Sequence, residues 1–425
     1  MTYDLKHFPN IEDFLGIDWL EAGCAKLDRQ IGRMVASGRM DSTVEANDHA
    51  IHQLWYNHIL GKPLPSDIVI KGDYKIEHGL RQGHRLLTVE QLLAKLRPTW
   101  DAGIADSVRD KLRNPPQFES TLYELLVVVN FREAGHDVNI RLPEGKATAD
   151  IAGTILEAPA HIECKRVTFR AKPHTTRLAE LGSLADEILN VVSKWNQSTV
   201  VSIEFEGPAG TAEMDRVRSL FSGVHALPDW RRHVYIPGPW SVRISSAGEG
   251  QPQMTGDFDQ YDVLTTDGLI DASTGTSEKL HAVGIKDHTP SDWGAVVRKS
   301  LNTARRQLER GRCNIICIEV ADMAYFTDVV EIERVFEATE RFLAYDSRRV
   351  SGVILTSIGV IKDGPNRAVK SGPVRFRTAG QSWLLRNPNP FVELPPDFAA
   401  PRFDKPEVLI QASMSANKPT PSTTE

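Results

Sequence analysis

Apolar residues recur at helical spacing through much of the first 115 positions, over Trp19–Ser37, Ala46–Leu60 and Val89–Leu96. Pro63, Pro65, Pro98, Pro115 and Pro116 punctuate these runs, and Asn114-Pro115-Pro116 marks a boundary, because a residue before proline disfavours helix. A new texture follows. Phe118–Ala134 predicts a helix that stops at Gly135. HDVNIRL, ATADIAGTIL and AHIECKRVTF then predict three strands, the last two joined by a Glu-Ala-Pro turn. Beyond them, Leu178–Trp195 predicts an amphipathic helix and Thr199–Phe205 a strand. Residues 207–290 carry many glycines, prolines and short pieces such as HVYI and WSVRI, which predict a β-rich insertion. Regular alternation returns with a helix over Ser291–Arg310, a buried strand over Asn314–Val320, a helix over Val329–Tyr345 and a strand over Gly352–Ile361. Alternating helix and strand predicts an α/β layer architecture.

The expected organisation is a helical N-terminal domain over 1–115 and an α/β domain with α+β elements over 116–365, interrupted by the 207–290 insertion. A C-terminal extension covers 366–410, and the Ser/Thr/Pro-rich stretch 411–425 predicts a disordered tail. The 425 residues are 41% hydrophobic and 25% charged, enough to build a sizeable core. No apolar run approaches the roughly 20 residues of a membrane span, and the first residues lack the pattern of a signal peptide. Cys24, Cys164, Cys313 and Cys317 form neither a CxxC pair nor a disulfide framework, so a cytoplasmic location is expected.

The net charge of −6 argues against a protein that coats nucleic acid through bulk charge, but leaves room for a local basic groove. Cations cluster at Lys165, Arg166, Arg170, Lys172 and Arg177, and again at Arg298, Lys299, Arg305, Arg306, Arg310 and Arg312. A solvated surface accounts equally well for either cluster.

Candidate chemistry centres on the hairpin. Side chains alternate along a strand, so Glu163 and Lys165 share one face and Cys164 takes the other. A turn centred on Leu156–Glu157 sets Asp150 opposite Glu163. A turn centred on Ala158–Pro159 sets it opposite Val167. Both registers keep Asp150 on the face of Glu163 and Lys165, because a two-residue slip preserves facing. Two carboxylates and a lysine on one face suit phosphodiester hydrolysis: carboxylates hold a hard cation such as Mg²⁺, and a lysine orients or deprotonates water or neutralises developing charge. Glu124 lies inside the apolar run LYELLVVV, where an unpaired carboxylate is unfavourable unless a metal, a metal-bound water or a cation meets it. Glu119 points about 140° away, at 100° per residue, and suits the helix dipole instead.

With these residues in this order, the segment 116–167 resembles the PD-(D/E)xK nuclease superfamily, the restriction-endonuclease-like fold. The matching positions are Glu124, Asp150, Glu163 and Lys165, with Ala149 where the family usually has proline. The resemblance implies an αβββαβ core. It implies a metal site of Asp150, Glu163 and Glu124, with Lys165 assisting the attacking water. It also implies Mg²⁺ as cofactor, with Mn²⁺ able to substitute, and nucleic acid, foremost DNA, as substrate. Either Leu178–Trp195 with Thr199–Phe205 or Ser291–Arg310 with Asn314–Val320 could complete the core. The later pair is closer to the family, and Lys299 and Gln307 could then face the site or substrate, although a solvated helix face is the commoner reading of either alone.

Other candidates carry ordinary readings. His161 shares the face of Glu163 and reads as an exposed histidine. His281, Asp287 and His288 have no metal-ligand spacing. Cys313 and Cys317 read as small core residues. Trp230, Trp240 and Trp293 could stack on bases, although packing is the commoner fate of tryptophan. The expected function is a Mg²⁺-dependent endodeoxyribonuclease. The alternative is an inactive nuclease-fold protein acting as a binding or structural module, against which the intact four-residue set argues. Oligomeric state stays open, dimers being common among enzymes that cut both strands of a duplex.

Overall fold

The computed structural model describes residues 7–410 apart from 38, 42–48, 63–72, 143–147, 168–171, 196–197, 206–209, 223–233, 236–239, 247–262, 268–280, 288–292, 321–328, 364–373 and 404–407. The 411–425 tail, Arg170, Trp230 and His288 lie outside the described residues, as do the side chains of Lys172, Arg177 and Asp287.

The chain is mixed α/β, with helices around two mixed sheets. The N-terminal region folds as α1 (Pro9–Leu15), α2 (Ile17–Ser37), β1 (Arg39–Asp41), α3 (Ala50–His58), α4 (Asp73–Leu96) and α5 (Ala102–Arg113). Asp101 caps α5 by accepting the backbone N–H of Ile104 at 2.8 Å, and Pro115 then opens α6 (Pro115–Glu133). Every residue from Tyr123 to Phe131 is buried. A helix apolar all round is buried all round. Here the N-terminal helices cover one side of α6, the sheet covers the other, and both belong to one continuous core.

Three strands follow α6 as expected: β2 (Asp137–Ile140), β3 (Ile151–Ile155) and β4 (Ala158–Val167), all antiparallel. The pairing Ile155↔Ala158 leaves Leu156 and Glu157 as a two-residue turn. Their φ values are 46° and 69°. Positive φ at both centres is the type I′ geometry that suits a twisted hairpin, usually built from Asn-Gly. Leucine and glutamate hold it at a conformational cost of roughly 1–2 kcal/mol each.

The chain then leaves this sheet. The helix α7 (Lys172–Val192), β5 (Thr199–Phe205), α8 (Thr211–Ser222), β6 (Val234–Tyr235), β7 (Trp240–Ser246), β8 (Val263–Asp267) and β9 (His281–Asp287) build a second, six-stranded sheet in the order β1-β8-β9-β5-β7-β6. Residues of α7 and α8 cover it around Leu184, Ile188, Val201, Val217 and Ile285. This unit starts before residue 207 and contains a helix, α8, that the glycines and prolines around it concealed.

The chain returns through α9 (Trp293–Arg305) to β10 (Cys313–Val320), which lies beside β4 and parallel to it. The helix α10 (Val329–Arg341) ends in a π-turn over Phe342–Asp346 and leads to β11 (Gly352–Asp363), parallel to β10. The strands β12 (Val374–Arg386) and β13 (Val408–Ile410) extend the sheet antiparallel, so part of the 366–410 stretch belongs to it. The seven-stranded order is β13-β12-β11-β10-β4-β3-β2. Of the two helix–strand pairs, the later one adjoins the hairpin, because α7 and β5 are committed to the other sheet. One face of this sheet packs on α6, and α9 and α10 cover the other. Among the described residues, no helix is long and apolar enough to cross a membrane.

Candidate active site

The turn decides the site. With Leu156–Glu157 at its centre, Ile151 pairs with Ile162, and the same register sets Asp150 opposite Glu163. Asp150 precedes β3, where a side chain can fold back toward the neighbouring strand. Its Oδ2 accepts the backbone N–H of Cys164 at 2.8 Å, which fixes the carboxylate against β4. Glu163 and Lys165 stand on one face, beside Ile316 and Ile318 of β10, which join the core under α9. Lys165 Nζ donates to Glu163 Oε1 in a buried ion pair. Glu163 is 0% exposed, and its Oε2 accepts no hydrogen bond among the described residues.

Glu124 projects from α6, the helix on the Ile162 and Cys164 side, and is 8% exposed. Lys111, in the last turn of α5, donates to its Oε2 at 3.2 Å. So the expected partner for this buried carboxylate includes a cation from the chain itself. Lys111 was not legible from sequence. It sits on a separate helix beyond a Pro-Pro break, and no linear spacing links it to Glu124.

The electrostatics tie these groups together. Burial raises Glu124 from 4.5 to about 7, and the negative charge of Asp150 adds to that, with Lys111 opposing. Burial raises Glu163 to about 8, again with Asp150 adding and Lys165 opposing. Burial alone would lower Lys165, but Glu163 and Asp150 outweigh it and raise its pKa above the ordinary value. Lys165 is therefore an ammonium at neutral pH. Asp150 is the charge that both glutamates sense.

Glu119 belongs to a different network. It pairs with Arg85 and with Arg166 at 3.0 Å, and Arg166 donates to Glu319 at 2.6 Å. Its burial would raise the carboxyl, but Arg85 and Arg166 outweigh this and hold it low. This anchor joins α6 to β4 and β10. Nearby, the Tyr123 hydroxyl lies 2.8 Å from Thr356 Oγ1 and ties α6 to β11.

His161 is buried rather than exposed, because β4 runs mid-sheet between β3 and β10. Arg141 lies 3.4 Å from its Nε2 and also pairs with Glu309, while burial lowers the imidazole pKa. Lys299 is exposed and Gln307 half-buried on α9 and the turn after it. Trp293 packs in the core beneath α9, and Trp240 packs at the edge of the second sheet's core. All four cysteines are buried and free.

Among the described residues, no three histidine, cysteine or acidic side chains already converge as a metal-holding cluster. The donor chemistry nevertheless fits a hard cation. Asp150 and Glu163 offer oxygen ligands, and Glu163 Oε2 is buried without a partner among the described residues. A comparison with family models, curated proteins and solved structures finds no match.

Proposed function

We propose that this chain is a divalent-metal-dependent nuclease of restriction-endonuclease-like architecture, acting on nucleic acid with DNA as the first substrate to test. One observation carries the reading: the Leu156–Glu157 turn pairs Ile151 with Ile162, and Asp150 Oδ2 accepts the backbone N–H of Cys164, the residue between Glu163 and Lys165. The order of α6, β2, β3, β4, then α9 and β10 parallel to β4, also supports it.

In this reading Asp150 and Glu163 would hold Mg²⁺ or Mn²⁺, and Glu124 would add a third oxygen donor to the site. When bound, the ion supplies an acidified water and charge stabilisation on the phosphate. Lys165 enters as an ammonium, so its part is to neutralise charge on the phosphate or orient the water, not to take the proton. Glu124, held by Lys111, would accept a hydrogen bond from that water. Lys111 is a positioning residue that keeps Glu124 in place.

The test is cleavage of supercoiled, linear, branched and single-stranded DNA, and of RNA, by purified protein with Mg²⁺ or Mn²⁺. Glu163→Gln and Lys165→Ala should each lower the rate by about a hundredfold or more. Cleavage that survives both substitutions would place the chemistry elsewhere and end the proposal.

A further inference from the structure

A second surface feature lies near the starts of β10 and β11. A pocket of about 460 Å³ opens between the turn after α9, the π-turn after α10 and the loop after β12. These segments lead into the first residues of β10 and β11. Glu163 neighbours Ile316, three residues further along β10 than Cys313, so about 10 Å of strand separates it from the first residue of β10.

The lining is cationic and aromatic. Arg306, Arg310 and Arg348 face it together with Tyr345 and Phe391, and none of the described lining residues is acidic. Glu309, beside Arg310 in sequence, is turned away to Arg141. Arg306 and Arg310 are exposed and make no ion pair among the described residues. Arg348 is pre-oriented: its guanidinium stacks over Phe391 at 4.9 Å, and the Phe391 N–H donates to the Arg348 carbonyl at 2.6 Å. Tyr345 is 85% exposed and Phe391 53%, two rings displayed on the surface beside these arginines. A third observation concerns Ser347. Ser347 lines the pocket and is 6% exposed, yet its Oγ has no hydrogen-bond partner among the described residues. A buried polar group without a partner calls for one.

We infer that this pocket binds a nucleotide, with its phosphate on Arg306, Arg310 and Arg348 and its base stacked on Tyr345. Guanidinium forks match phosphate oxygens, and an exposed ring gives a base its platform. The volume suits one nucleotide, within the range of small-ligand sites. An isolated inorganic anion would use the arginines and leave the ring idle. The nucleotide can be free or part of a strand, and the chemistry is shared. The inference stands without the nuclease reading, because it uses none of the carboxylates.

The test is calorimetric titration of the full-length protein in low salt and EDTA. The probes are dAMP, deoxyadenosine, inorganic phosphate and a 5′-phosphorylated single-stranded dodecamer. The expected result is that dAMP binds about tenfold more tightly than either deoxyadenosine or phosphate. Arg306→Ala with Arg310→Ala should weaken dAMP by about tenfold or more, and Tyr345→Ala by about fivefold or more, with melting temperatures unchanged. A dodecamer that binds more tightly than dAMP, and loses the same factor in the double variant, identifies a strand as the source. A dodecamer no tighter than dAMP identifies the free nucleotide. Phosphate binding as tightly as dAMP, or dAMP binding equally to wild type and variants, overturns the inference.

Discussion

Asp150→Asn separates the electrostatics of the site from its chemistry. The amide oxygen of asparagine can still accept the Cys164 N–H, so the local geometry is kept while a negative charge is removed. A carboxyl raised from 4.5 to about 8, as Glu163 is, carries roughly 5 kcal/mol against its ionised form. Burial is the larger cause, Asp150 the second, and Lys165 opposes both; a charge placed as Asp150 is contributes on the order of 2 kcal/mol. Lys165 loses part of its anionic surroundings in the same step, so the net gain is about 1–2 kcal/mol. The sign depends on pH. Below pH 4.5 Glu163 is protonated whether folded or unfolded, and the repulsion is absent. Between 4.5 and 8 the unfolded chain ionises first, and the penalty grows until it is complete above 8. Glu124, raised to about 7, acts in the same direction. Urea denaturation in EDTA should therefore show Asp150→Asn equal to wild type near pH 4.5 and more stable by about 1–2 kcal/mol at pH 8.5. Millimolar Mg²⁺ at pH 8.5 should stabilise wild type and leave the variant unmoved. DNA cleavage should be lost in the variant that is the more stable of the two. A variant less stable than wild type at pH 8.5, with no deficit at pH 4.5, would refute the claim that Asp150 is the shared source of repulsion.

Three further substitutions probe what holds the site. Lys111→Ala leaves Glu124 buried without its cation, so stability at pH 8.5 should fall by about 1–3 kcal/mol with little change at pH 4.5, and adding Glu124→Gln should restore it; an equal loss at both pH values would show that Lys111 acts by packing alone. Gly153→Ala would set a Cβ 2.0 Å from the Asp137 carbonyl oxygen, so β2 must separate from β3. That should lower stability by about 2 kcal/mol or more and speed amide exchange in β2, and unchanged exchange would contradict the close approach. Leu156→Asn with Glu157→Gly relieves two positive φ values and should raise the urea midpoint by an amount worth about 1 kcal/mol, whereas a lower midpoint would mean that the turn residues stabilise the hairpin in some other way.

The sequence by itself determined the elements around the site. Period 3.6 over Phe118–Ala134, period 2 over the three strands, and Gly135 at the stop are local signals, and the structure has α6, β2, β3 and β4 there. It also determined that Glu163 and Lys165 share a face, because alternation along one strand needs no other part of the chain. Only the tertiary structure chose between two turns that alternation treats alike. Positive φ at Leu156 and Glu157 goes against their local preference, so packing of Ile151, Ile155 and Ile162 against α6 must hold that register. Which helix–strand pair adjoins β4 was likewise a long-range matter, since both pairs carry the same local pattern and only the sheet order separates them. Lys111 beside Glu124, and the burial of His161, come from elements packed across the core, where distance along the chain carries no information. Periodicity and facing are written into neighbouring residues; the meeting of a lysine from one helix with a glutamate of the next is decided by the core that packs them together.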